Sequence, residues 1–119
     1  MVNETESTAP HNDTIKKILD KTGVAYKYRK FKGKAVVPIP FIVYYFEHER
    51  HYGSDDRNRI IDVNTVIELY TASKDFSTEQ KIEAELFGSE FEKTEDFDSN
   101  DEVFRITYEF TINVKIRRQ

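Results

Sequence analysis

The sequence predicts an α+β domain in which a mostly antiparallel sheet of four to five strands carries two helices on one face. Three observations lead there. Two long runs with β-type composition, Pro40 to Glu49 and Ile60 to Thr71, are followed by a third, Phe104 to Val114, with strict alternation. Two short segments have their apolar residues at helical spacing and end at a glycine. The connections are short, which favours antiparallel neighbours. At 119 residues the chain forms one domain, able to bury roughly two-thirds of its unfolded surface without staples.

Met1 to His11 is polar, contains Pro10 and has no apolar period, so residues 1–11 read as a mobile arm and 12–119 as the domain. Asn12 or Asp13 can cap a helix that turns Ile15, Ile18 and Leu19 inward and stops at Gly23. Val24 to Phe31 alternates as a strand, and Lys32 to Pro38 reads as a loop. From Phe41 to Phe46 the chain is apolar on both faces, which predicts a central strand with helices on one side and another cover, such as a second subunit, on the other. Glu47 to Arg59 holds nine charged or His residues around Tyr52, Gly53 and Ser54 and reads as a polar hairpin tip.

The returning strand puts Ile61, Val63, Thr65, Ile67 and Leu69 on one face and Asp62, Asn64, Val66, Glu68 and Tyr70 on the other. At about twelve residues it exceeds the usual five or six, so it is expected to overhang its own domain. Ser77 with Gln80 forms a capping box for a second helix that turns Ile82, Leu86 and Phe87 inward and ends at a left-handed Gly88. Phe91 to Phe97 reads as a short strand and Asp98 to Asp101 as a turn. In the last strand Phe104, Ile106, Tyr108, Phe110, Ile112 and Val114 form a core face opposite Arg105, Thr107, Glu109, Thr111 and Asn113.

Composition narrows the chemistry. The absence of Cys removes disulfides, thiolate metal sites and cysteine nucleophiles, and fits assembly in a reducing cytosol. The longest apolar run, Ile39 to Phe46, falls far short of the ~20 residues that span a bilayer, and the polar, acidic N-terminus is unlike a signal peptide, so a soluble, unexported chain without membrane partners is expected. A net charge of −4 with interleaved signs disfavours tight nucleic-acid binding.

No catalytic or cofactor motif stands out, and no cofactor or metal is expected. His48 and His51 are three apart beside a strand end, whereas a zinc helix motif needs four-residue spacing on a helix. The carboxylates at Asp55, Asp56 and from Glu92 to Asp98 read as solvated turns rather than acid–base pairs. The four glycines are too scattered for a phosphate loop. Lys115, Arg117 and Arg118 form a basic C-terminal tag that supports only weak, salt-sensitive contact.

Aromatic residues point to contact with other chains instead. Seven Tyr and nine Phe exceed what one small core can absorb, and Tyr, with an apolar ring and a polar tip, suits interfaces. Tyr44, Tyr45, Phe46, Val66, Glu68 and Tyr70 are the candidate interface. His48, Arg50, His51, Tyr52, Asp55, Asp56 and Arg57 are the candidate partner-binding loop.

Pro40 with Phe41 opening a strand, then Glu68, Leu69, Tyr70, Thr71, Lys74, Asp75 and Glu79, the helix through Ile82 and Leu86, then Phe91, Lys93, Tyr108 and Phe110, resemble the small tail completion proteins of long-tailed bacteriophages and prophages. These are tail terminators, or tail-to-head joining proteins, and the resemblance covers residues 12 to 114. It implies a homo-oligomeric ring, commonly a hexamer, that caps the tail tube protein, ends its polymerisation and meets the connector at the head, with DNA only passing through. It also implies a place in the virion at the head-proximal end of the tail, after assembly in the host cytoplasm. The charged tip and the N-terminal arm depart from the family pattern. The alternative is a small acidic binding module, or an inhibitor of a host protein.

Overall fold

The computed structural model describes residues 10–29, 39–53 and 58–117. Within them the order is α1 (Pro10–Asp20), β1 (Ala25–Tyr28), β2 (Phe41–Gly53), β3 (Asn58–Thr71), α2 (Phe76–Glu85), β4 (Phe91–Asp98) and β5 (Val103–Arg117). The strands form one sheet in the order β1-β2-β3-β5-β4. It is an α+β fold, and all strand pairs are antiparallel except β1 with β2. About a dozen residues separate those two strands, a length that permits a parallel pair.

One face of the sheet makes the core. Ile42 and Tyr44 of β2, Ile67 and Leu69 of β3, and Ile106, Tyr108 and Phe110 of β5 pack with Ile15, Ile18 and Leu19 of α1 and with Ile82 and Leu86 beside α2. Both helices therefore cover the same face, as the alternation in β3 and β5 predicts. β2 lies inside the sheet between β1 and β3, as its apolar run predicts, and β3 is the middle strand, laddered along its whole length to β5 and along most of it to β2.

Several local expectations are corrected. Helix α1 starts at Pro10, ahead of the predicted caps, because proline fits a first helical turn whose N–H groups lack intrahelical partners anyway. His11, assigned to the mobile arm, is buried with its ring 4.6 Å from that of Phe46. Residues 1–9 of that arm lie outside the described residues, as does the predicted loop from Lys32 to Pro38. Strand β1 is shorter than read and stops where Arg29 turns at φ 69°.

Helix α2 is capped by Asp75, not by the Ser77–Gln80 box: Oδ1 accepts from the Thr78 N–H at 3.1 Å and Oδ2 from the Thr78 hydroxyl at 2.7 Å. Phe87, predicted inward, is 89% exposed, because the helix closes at Leu86 and Gly88 turns away at φ +92°. The hydrogen bonds from Thr78 hold the Asp75 carboxyl below its usual range. Asp75→Ala is expected to cost about 1 kcal/mol at neutral pH. A carboxyl whose folded pKa is depressed contributes fully above its unfolded value and loses that contribution as pH falls through the folded one. Urea unfolding of wild type and variant should therefore converge in acid.

A charged network ties α2 to β4. Glu79 is buried, with Lys74 Nζ 2.9 Å and Lys93 Nζ 2.8 Å from its carboxylate. Lys93 also reaches Glu83 at 2.6 Å, and the buried Tyr108 hydroxyl donates to that Glu83 at 2.7 Å. Burial and this hydrogen bond push the Tyr108 hydroxyl far up, so it stays a donor.

Candidate assembly surface

Away from the helices, the other sheet face is floored by Val43 and Val66 and carries Phe41, Tyr45, Glu68, Tyr70 and Arg105. Their order follows from the register: Tyr45 faces Val66, Val43 faces Glu68 and Phe41 faces Tyr70, which itself faces Arg105. Glu68 organises this surface, because Tyr45 donates to its Oε2 at 2.9 Å and Tyr70 to its Oε1 at 2.7 Å. Phe41 stacks on Tyr70 with ring centroids 4.8 Å apart and planes 21° apart. The Arg29 guanidinium lies 4.8 Å over the Tyr45 ring, and Arg105 binds Asp96 at 3.0 Å.

Burial and the Glu68 hydrogen bond push the Tyr45 hydroxyl up to about 12. The same causes raise Tyr70, opposed by Arg105. Both phenols remain neutral donors pointed at one carboxylate, so these half-buried rings have their hydroxyls satisfied within the chain. Such a surface offers flat aromatic area to a partner.

The predicted interface residues divide. Tyr45, Glu68 and Tyr70 lie together on this bare face. Tyr44 and Val66 are each 3% exposed and leave the candidate set, since neither has surface to give. Tyr44 is one residue out of phase with Tyr45, so it points under α1 and its hydroxyl reaches Asn12 at 3.0 Å. Phe46 is half-buried on the helix side, between His11 and Tyr28.

Much of the predicted loop is strand. From Phe46 and Thr65 the ladder runs on to Gly53 and Arg59, with a register shift between Phe46 and His48. Charge does not prevent this, because a two-sided wet strand can leave every charged head in water. His48, Arg50, His51 and Tyr52 are thus exposed strand residues, while Asp55, Asp56 and Arg57 lie outside the described residues. His48 pairs with Asn64 and His51 with Ile61, positions on opposite faces, so the two imidazoles cannot share a metal ion. Among the described residues no group of His and acids could hold one.

Beyond Phe46, β2, β3 and β5 continue as a three-stranded ribbon past the main core. Its own small cluster, Ile61, Val63 and Val114 with Phe46 and Ile112, includes no helical residue. On the bare face of the ribbon Asp62 accepts from Tyr52 at 3.0 Å and from Asn113 at 2.6 Å, and Arg50 lies 5.3 Å over the Tyr52 ring. On the other face Glu49 meets His51 at 2.9 Å and His11 at 3.6 Å. Sequence reasoning missed Arg29, Phe41 and Arg105 as members of this surface; the signal was their place opposite Tyr45 and Tyr70, which only the register supplies.

Neither a family model nor a curated protein matches this chain.

Proposed function

We propose that this chain is a virion assembly protein that caps the tail tube of a long-tailed phage, ends its polymerisation and joins the tail to the head connector, acting as a ring and by binding alone. The observation that carries the reading is the ribbon: strands of 13, 14 and 15 residues run past the helix-covered core and hold exposed charged and aromatic side chains away from it. A domain that needed strands only for its helix-covered core would stop them near Phe46 and Ile112. The bare face, with its ordered Tyr45–Glu68–Tyr70 lattice, adds a second surface suited to another chain.

The residues that carry the family resemblance support the same reading. Phe41 and Tyr70 stack, Asp75 caps α2, and Glu79, Lys93 and Tyr108 belong to the buried network. All of them build a scaffold.

Deleting the gene from the phage or prophage that carries it, and scoring lysates by electron microscopy, tests the proposal. Full heads beside unattached tails of abnormal or variable length are expected. Normal attached tails would sink the reading and leave an acidic binding module, which the acidic stretch Glu90 to Asp98 favours.

A further inference from the structure

We infer that copies of this chain join edge to edge, the β4 edge of one subunit adding to the β1 edge of the next; the inference rests on the ring reading above and names its contact. Among the described residues these two strands are the edges of the sheet. A sheet edge offers unpaired backbone N–H and C=O groups and serves as a template for another strand. Direction permits the union. β1 runs with β2, and each later neighbour in the sheet reverses, so β4 runs opposite to β1 and a copy that continues the sheet meets it antiparallel.

The side chains of the two edges are sorted. On the bare face β1 carries Lys27, followed by Arg29, and β4 carries Glu92, Asp96 and Asp98. One of these acids, Asp96, is engaged by Arg105 within the subunit. On the helix face β1 carries Tyr28, 42% exposed, and β4 carries Phe97, 52% exposed. Continuing the sheet thus sets cations beside carboxylates on one face and an aromatic ring beside an aromatic ring on the other. Charges that merely blunt an edge need no such sorting by sign. Because the two edges are different surfaces, the contact is heterologous, and it closes into a ring when the rotation between subunits closes.

Charge reversal at the edges tests this. Ala25→Glu with Lys27→Glu makes the bare face of the β1 edge acidic, and Glu92→Lys with Asp98→Lys makes that of the β4 edge basic, because Asp96 is held by Arg105; all four positions are exposed. Circular dichroism checks folding, and sedimentation velocity follows association. Each singly reversed edge is expected to weaken self-association by roughly a hundredfold or more, since like charges placed together cost several kcal/mol. The chain carrying all four substitutions, whose edges are again opposite in sign, is expected to assemble. Wild-type protein that stays monomeric at every concentration overturns the edge contact. Equal assembly of wild type and single-edge variants also overturns it but leaves the ring reading standing. Failure of the fourfold variant to assemble while wild type does has the same consequence. Edge-dependent assembly together with normal tails in the gene deletion would keep the contact and sink the tail function.

Discussion

Substituting Lys74→Met and Lys93→Met together is expected to destabilise the fold by about 3–5 kcal/mol, the range for breaking a buried charge pair by removing one side of it. Glu79 sits on α2 with 1% of its surface exposed, and the two ammonium groups are the cations that the structure places at its carboxylate. Both are secured by a second carboxylate as well, Lys74 by Glu95 and Lys93 by Glu83, each at 2.6 Å. Hydrogen bonds that Lys74 donates to Glu95 and Glu79 raise its ammonium. Burial works against the charge on Lys93, but its bonds to Glu79 and Glu83 outweigh that and raise it too. Either lysine alone leaves Glu79 one cation, so the single variants lose less. The double variant strands a carboxylate in the seam between α2 and β4. Adding Glu79→Gln removes the stranded charge and is expected to return much of the stability. Chemical denaturation of the five proteins measures this, and a loss that Glu79→Gln leaves untouched would show that the methionines act by packing instead.

The contrast between what was legible and what was not follows the range of the interactions. The period-two patterns of β3 and β5 were readable because burial of one sheet face forces them, and they placed Ile61 to Leu69 and Ile106 to Phe110 correctly. Helix caps are decided by single side chains: Asp75 and Ser77 are both good cap residues two positions apart, and the chain uses the first. Phe87 fits the helical stripe but falls one residue past the closure at Leu86. Tyr44 and Tyr45 are the same residue type in adjacent positions, and only the register with Ile67 and Val66 decides which one is core. The Glu79–Lys93 contact joins α2 to the strand that follows it, and no local spacing announces it. The β2 arm of the ribbon, from Glu47 to Gly53, has the composition of a hairpin tip; its strand character comes from cross-strand pairing with β3, which composition does not encode.

That same ribbon gives the largest functional effect. Replacing residues 51–61 by an Asn-Gly turn, which favours a tight hairpin, is expected to leave a folded domain that no longer joins tails to heads. Folding should survive because the main core draws nothing from residues 51–61: its buried β2 and β3 members run from Ile42 to Tyr44 and from Ile67 to Leu69. The excision removes Ile61 from the small second cluster, a loss of about 2 kcal/mol by burial of one aliphatic side chain, and spares Val63 and Val114. Function should not survive, because the excised segment holds His51 and Tyr52, deprives Arg50 of the ring it covers and removes the projecting end of the molecule. A partner surface that projects from a core it does not support can be removed without unfolding the protein, and this separates the two roles experimentally. Supplying the shortened chain to the gene-deleted phage should give unattached tails beside full heads, with the helix signal retained and only the excised strand residues lost in circular dichroism of the purified protein. Normal joining by the shortened chain would take the ribbon out of the mechanism and shift the contact with head or tail tube to the Tyr45–Glu68–Tyr70 face.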